Sequence, residues 1–238
     1  MSAMNEQPGR LNRVLTRLLM NHAKVAESEA LGRRLRLITL ESPAFRGVAF
    51  APGQYVQIAM GSAFRARAYT PLDWDGAAGR LRFIGVVHGN GPGSAWVEGA
   101  RPGDECDVFG PRRSLDLRAI AGPLVVVGDE TAIGLAYAAV HADPARPVIC
   151  HFEVGDGPEI GGALSALGLG GVTMLYPKRP DDGHLADLVA ALTATDANVT
   201  FVLSGKADTV DHLRKTLKRP RATVLAKPYW APGRKGMD

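Results

Sequence analysis

"VVVGDETAIGLAYA", residues 125–138, decides the architecture: a β-branched run, a polar turn and then an apolar helical run. A strand–turn–helix unit of this kind opens a nucleotide-type α/β sheet. Where a dinucleotide fold carries G-x-G-x-x-G, this chain has Gly128 followed by Asp129, Glu130 and Thr131, with Gly134 already inside the helical run. Two carboxylates would repel a pyrophosphate, so the turn is expected to cap the helix, with Asp129 or Thr131 as N-cap.

The same rhythm continues toward the C-terminus. "PLVVVG" (123–128), "RPVICHFEV" (146–154), "GVTMLYP" (171–177), "NVTFVLSG" (198–205) and "RATVLAKP" (221–228) are short apolar or β-branched runs separated by helical stretches. Five strands with helical crossovers predict a doubly wound parallel sheet, the nucleotide-binding α/β domain over 118–238. Toward the N-terminus the rhythm changes. "RRLRLITLE", "GQYVQIAM", "RLRFIGVVH" and "DECDVFGP" are short alternating runs between Gly/Pro turns, which predicts an antiparallel β-barrel over 24–117. The fold class is therefore β + α/β. A barrel packed against the carboxyl edge of the sheet would enclose an interdomain cleft, a preferred cofactor position.

Composition bounds the function classes. The chain has 238 residues, 46% hydrophobic and 22% charged, with a formal net charge of +4. That balance suits a globular protein with an anionic ligand, and it lacks the dense basic stripe of a nucleic-acid protein. Cys106 and Cys150 stand far apart, against a disulfide scaffold or a metal centre and in keeping with a reducing cytoplasm. No apolar run is long enough for an integral membrane segment. Residues 1–23 hold "GRLNRVLTRLLM", with leucines on one helical face and Arg10, Arg13 and Arg17 on the other. It reads as an amphipathic helix docked on the domain behind it; the alternatives are a membrane-surface helix or an organellar leader.

Two stretches of the barrel carry candidate chemistry. In "RARAYTP" (65–71), Arg67 can fork onto a phosphate, Tyr69 can lie on a planar ring and Thr70 can donate to a ring nitrogen. The same residues also read as a solvated basic edge strand ending at Pro71. In "HGNGPGSAW" (88–96), Gly89, Gly91 and Gly93 allow close backbone approach, and Ser94 is expected to N-cap a short helix. A Gly-rich turn leading into a helix is a ready pyrophosphate site, or else a surface loop.

In order, "PGQYV", "RARAYTP", "HGNGPGSAW", "RPGDECDVFGPR", "VVVGDETA" and "YWAPGRKG" resemble the siderophore-interacting proteins, FAD-dependent ferric-siderophore reductases of the ferredoxin-reductase-like superfamily. The resemblance covers about residues 24–236. It implies that Arg67 binds the FAD pyrophosphate, Tyr69 packs on the ribityl chain or isoalloxazine, and Thr70 hydrogen-bonds near flavin N5. His88, Gly89, Gly91, Gly93 and Ser94 would hold the pyrophosphate and adenosine side. Asp129, Glu130, Thr131 and Ala132 would lie at the cleft. Tyr229 and Trp230 would stack on flavin or adenine. Ser204, Gly205 and Lys206 would belong to the nicotinamide-nucleotide site. Lys206 replaces a commonly acidic residue, Pro71 and Leu72 depart from the usual residues after R-x-Y-T, and Ala231 stands where Arg is usual.

The resemblance implies a chemistry centred on the flavin, with no protein nucleophile and no resident metal: electrons from NAD(P)H, or from ferredoxin, pass through FAD to Fe(III) chelates. Arg65, Arg112, Arg113, Lys227, Arg234 and Lys235 are candidates for capturing an anionic siderophore. The competing expectations are a flavoenzyme of the same fold with a quinone, free flavin or redox protein as acceptor, and a non-catalytic FAD-binding module.

Overall fold

The computed structural model describes residues 20–62, 65–89, 91–195, 198–218 and 222–233. The amphipathic helix expected before the first strand, and Arg234 and Lys235, lie outside them.

The N-terminal half is an antiparallel sheet of seven strands in the order β4-β3-β7-β1-β2-β6-β5. These strands are β1 (Asn21–Ala30), β2 (Leu35–Glu41), β3 (Tyr55–Ser62), β4 (Arg65–Tyr69), β5 (Pro71–Asp75), β6 (Arg80–Val86) and β7 (Glu105–Arg112). The two edge strands are consecutive in sequence and meet at Thr70, where the chain steps from one side of the curled sheet to the other. Pro71 opens the second edge opposite Phe83, where a residue without an N–H is tolerated. The expectation that the strand stops at Pro71 holds for this reason. Ile38, Leu40, Phe45, Ile58, Leu81 and Phe83 are fully buried inside the sheet.

The second half is a parallel sheet in the order β10-β9-β8-β11-β12, built from β8 (Leu124–Gly128), β9 (Val148–Val154), β10 (Thr173–Pro177), β11 (Thr200–Lys206) and β12 (Thr223–Trp230). All of β8 is buried, as a strand covered on both faces must be. Val125 and Val127 face the core under α4 (Gly183–Thr193) and α5 (Ala207–Thr216). Leu124 and Val126 face the larger core under α2 (Ile133–Ala142) and α3 (Gly157–Ala166). That larger core runs without a break into the barrel interior, so apolar burial joins the two halves. Strand order reverses between β8 and β11, and the crevice at their carboxyl ends is where such a sheet takes ligands.

Candidate functional site

The crevice is organised by a buried carboxylate. Asp129, 1% exposed, directly follows β8. Its Oδ1 accepts from Thr131 N at 2.9 Å and Thr131 Oγ1 at 2.5 Å. Its Oδ2 accepts from Lys206 N at 2.9 Å and from Trp230 Nε1 at 2.7 Å. Asp129 thus caps the short 3-10 turn Glu130–Ala132 rather than the helix itself, whose N-cap is Ala132 without a side-chain cap, because the turn intervenes between strand and helix. It also ties the ends of β8, β11 and β12 together. Burial nevertheless pushes its pKa above the usual carboxylate range. Gly205, at φ +94°, lies against this carboxyl: a Cβ there would stand 2.8 Å from it.

A second network crosses from sheet to barrel. Thr70 Oγ1 donates to Tyr229 OH at 2.8 Å. Tyr229 in turn hydrogen-bonds Ser204, and Ser204 Oγ donates to the Lys227 carbonyl at 3.0 Å. Each hydroxyl donates once along the chain Thr70, Tyr229, Ser204. Tyr229 reaches the barrel because the β11–β12 register slips there, Gly205 pairing with Pro228 and Lys206 with Trp230. A bulge of this kind re-aims one side chain. Behind Thr70, α2 comes close enough that a Cβ on Gly134 would lie 2.6 Å from the Thr70 carbonyl oxygen.

On the barrel side, Arg67 and Tyr69 flank the start of α1 (Pro92–Gly99). A Cβ on Gly93 would stand 3.1 Å from Arg67 Cγ and 3.5 Å from Tyr69 OH. No side chain caps this helix; Gly91 is its N-cap and Pro92 its first residue. Ser94 therefore is not the N-cap expected from sequence. It is the third helical residue, because Pro92 is pre-set for the first helical position. Its hydroxyl instead bridges the loop, accepting from His88 N at 2.9 Å and donating to His88 O at 2.8 Å. Tyr69 packs on Phe83 and Trp96, with ring centroids 4.6 and 6.4 Å away, and burial pushes its phenol pKa up. Arg67 Nη1 donates to the Ala66 carbonyl at 2.8 Å.

Between the halves lies a cleft of about 230 Å³, lined by Val86, Val87 and His88 from the barrel and by Asp129, Glu130, Thr131 and Trp230 from the sheet ends. Trp230 closes one side, its ring 6.0 Å from that of His88 and stacked on it. Gly89 and Gly91 have open space where a side chain would be. Lys206 Nζ lies 3.9 Å from Asp208; Ser204, Gly205 and Lys206 sit at the end of β11. Arg34, Gly155 and Lys178 also line the cleft and were not singled out from the sequence. Gly155 and Lys178 follow β9 and β10 directly, so the rule that ligands sit at strand carboxyl ends would have found them. Among the described residues no cluster of His, Cys, Asp or Glu has a metal-binding arrangement.

Residues 13–115 match the family model of the siderophore-interacting FAD-binding domain. No curated protein matches the sequence. A siderophore utilization protein from T. fusca superposes with a TM-score of 0.72 at 24% identity, over 92% of this chain and 95% of that one. The siderophore-interacting protein SipS from Aeromonas hydrophila gives 0.73 at 23% identity, over 91% and 93%. Full-length CYP116B46 from Tepidiphilus thermophilus gives 0.74 at 21% identity, and 97% of this chain covers 30% of that one. At these identities the structural likeness is one of fold. Residues 13–115 are thus similar to a siderophore-interacting FAD-binding domain, and the chain as a whole shares its two-part fold with these structures.

Proposed function

We propose that this protein is a flavin-dependent reductase that takes electrons from NAD(P)H and delivers them to ferric siderophores, releasing Fe(II). The observation that carries the reading is the convergence at Gly93. Arg67, Tyr69 and the uncapped start of α1 meet there, where a side chain would press on Arg67. A cation beside free helical N–H groups fits a pyrophosphate, and the open backbone at Gly89 and Gly91 leaves room for it. FAD in this position would supply the redox chemistry, accepting a hydride and passing on single electrons.

The protein's own residues bind and orient. Arg67 holds the diphosphate, and the His88–Ser94 loop is kept in shape by the Ser94 hydroxyl. Thr70 donates its hydroxyl hydrogen bond to Tyr229, so toward a flavin it offers a lone pair for as long as that chain stands. Trp230, held by Asp129, forms one wall of the cleft. Siderophores bind Fe(III) through hard oxygen donors and hold Fe(II) less well, so reduction frees the metal. Lys227 and Arg112 both lie over the Tyr55 ring, 5.9 and 5.8 Å from its centroid, and form a basic aromatic face suited to an anionic chelate. A cytoplasmic place fits the two buried, unpaired cysteines, whose thiols burial pushes up to about 12. No helix among the described residues is long and apolar enough to cross a membrane.

The test is anaerobic reduction of the FAD-loaded protein by NADH and by NADPH, followed by hydroxamate and catecholate ferric chelates with an Fe(II) trap. Bleaching of the flavin band, then its return with trapped Fe(II), is expected. A reduced flavin that ignores both chelates and is reoxidised by a quinone, free flavin or ferredoxin overturns the siderophore assignment.

A further inference from the structure

The cleft contains an anion receptor that the chain fills with its own carboxylate. Glu130 Oε1 accepts from Gly155 N at 2.6 Å, and Oε2 lies 3.6 Å from Lys178 Nζ. The Arg34 guanidinium faces the same spot: a Cβ on Gly155 would stand 3.4 and 3.5 Å from its two terminal nitrogens and 3.5 Å from Glu130 Oε1. Three independent segments therefore bring donors together around Gly155, two of them onto Glu130 itself: the barrel's β1–β2 loop, the residue after β9 and the residue after β10. All line the cleft at the carboxyl edge of the sheet. A backbone N–H, an ammonium and a guanidinium together suit a phosphate. Arg34 is held in place from behind by Glu159, whose Oε2 is 3.2 Å from Arg34 Nε and whose Oε1 accepts from Arg34 N at 2.7 Å. This pair fixes the Arg34 arm of the receptor independently of Glu130.

We propose that Glu130 is an internal competitor for the phosphate of the nucleotide ligand, occupying the Arg34–Gly155–Lys178 receptor until an incoming diphosphate displaces it. The inference rests on the reading that this cleft takes a dinucleotide. It adds that the neighbouring carboxylate sets the affinity. Glu130 lies on the 3-10 turn capped by Asp129, so the turn stays anchored when the Glu130 side chain swings out. The energy of breaking its charge-assisted contacts is subtracted from every binding event. Removing the charge should strengthen binding of phosphate-bearing ligands and leave phosphate-free ones alone. A carboxylate that instead contacted ligand ribose hydroxyls would give the opposite sign.

The test is calorimetric titration of the FAD-loaded full chain with ADP-ribose, which carries a diphosphate and cannot be oxidised or reduced at a nicotinamide, and with adenosine. Glu130→Gln and Glu130→Ala should each bind ADP-ribose about tenfold more tightly than the parent, a conversion of roughly 1.4 kcal/mol, with adenosine binding unchanged. Lys178→Ala should bind ADP-ribose more weakly, and adding it to Glu130→Ala should erase the gain. Equal or weaker ADP-ribose binding by both Glu130 variants, or no detectable binding by any form, overturns the proposal. FAD retention and bleaching by NADH are read on the same samples. Bleaching without the gain in ADP-ribose affinity removes the competitor and leaves the flavoprotein, whereas failure to hold FAD removes the underlying reading.

Discussion

Thr70 on the seam of the barrel donates a hydrogen bond of 2.8 Å to Tyr229 on the last strand of the sheet, and this contact joins the two halves beside the cleft. It sits at the point where the barrel's two edge strands meet and where β12 is bulged. Each partner is placed by a local irregularity in its own domain. A double-mutant cycle with Thr70→Val and Tyr229→Phe should return a coupling of about 1 kcal/mol in urea unfolding. Additive effects within ~0.3 kcal/mol would mean that the contact adds nothing. Tyr229→Phe also frees the Thr70 proton, so the flavin absorbance band of the loaded protein should shift while FAD affinity changes little.

Gly134 tests the packing of α2 on Thr70. Glycine inside a helix ordinarily costs roughly 0.5–1 kcal/mol relative to alanine. At Gly162 in α3, a Cβ would meet nothing within 4 Å, so Gly162→Ala should stabilise by about that amount. At Gly134 the Cβ would come within 2.6 Å of a backbone oxygen, and backbone on both sides must move. Gly134→Ala should therefore destabilise, by about 1–3 kcal/mol on the scale of overpacked cores. Thermal unfolding of the two variants should move in opposite directions; a matched rise would show that α2 and the seam are free to part.

The flavin side of the site rests on Arg67. Loss of a charge-assisted phosphate contact costs roughly 1.5–3 kcal/mol, so Arg67→Ala should weaken FAD binding about 10–100-fold. Arg65→Ala, changed in parallel on the same strand, should stay within about threefold. Flavin fluorescence on titration with apoprotein measures both. Equal losses would remove Arg67 from the site.

Much of this was legible in the chain, and what escaped has a common cause. The barrel and the parallel sheet follow from periods of local sequence, and Asp129 as a cap follows from one residue type at one turn. Arg67, Tyr69 and the Gly-rich loop lie two strands apart in the chain, and their convergence at Gly93 was implied only by the resemblance, not by either stretch alone. The aim of Tyr229 depends on a register slip between β11 and β12, which strand propensity does not encode. The Glu130 receptor draws Arg34, Gly155 and Lys178 from three distant turns, each ordinary on its own. Ser94 is not the N-cap because proline at the first helical position sets the helix start three residues earlier.

His151 gives the folded state a pH dependence of definite sign. It lies on β9, 3% exposed, with its ring stacked on Tyr176 at 5.7 Å and Nδ1 2.9 Å from the Tyr176 hydroxyl. Burial lowers its pKa from 6.5 to about 4. Between those values the unfolded chain binds a proton at this imidazole and the folded chain does not. Stability therefore falls as pH drops through 6.5 toward 4 and this contribution levels off below, by roughly 3 kcal/mol in all. Asp129 works in the opposite sense: its raised folded pKa lets the native state take up a proton first as pH falls, which offsets part of the loss. Comparison with His151→Gln isolates the histidine. Urea unfolding at pH 7 and pH 4.5 should show a clearly smaller stability difference in the variant than in the parent. The same difference in both would mean that His151 is protonated in the folded protein and that its burial carries no penalty.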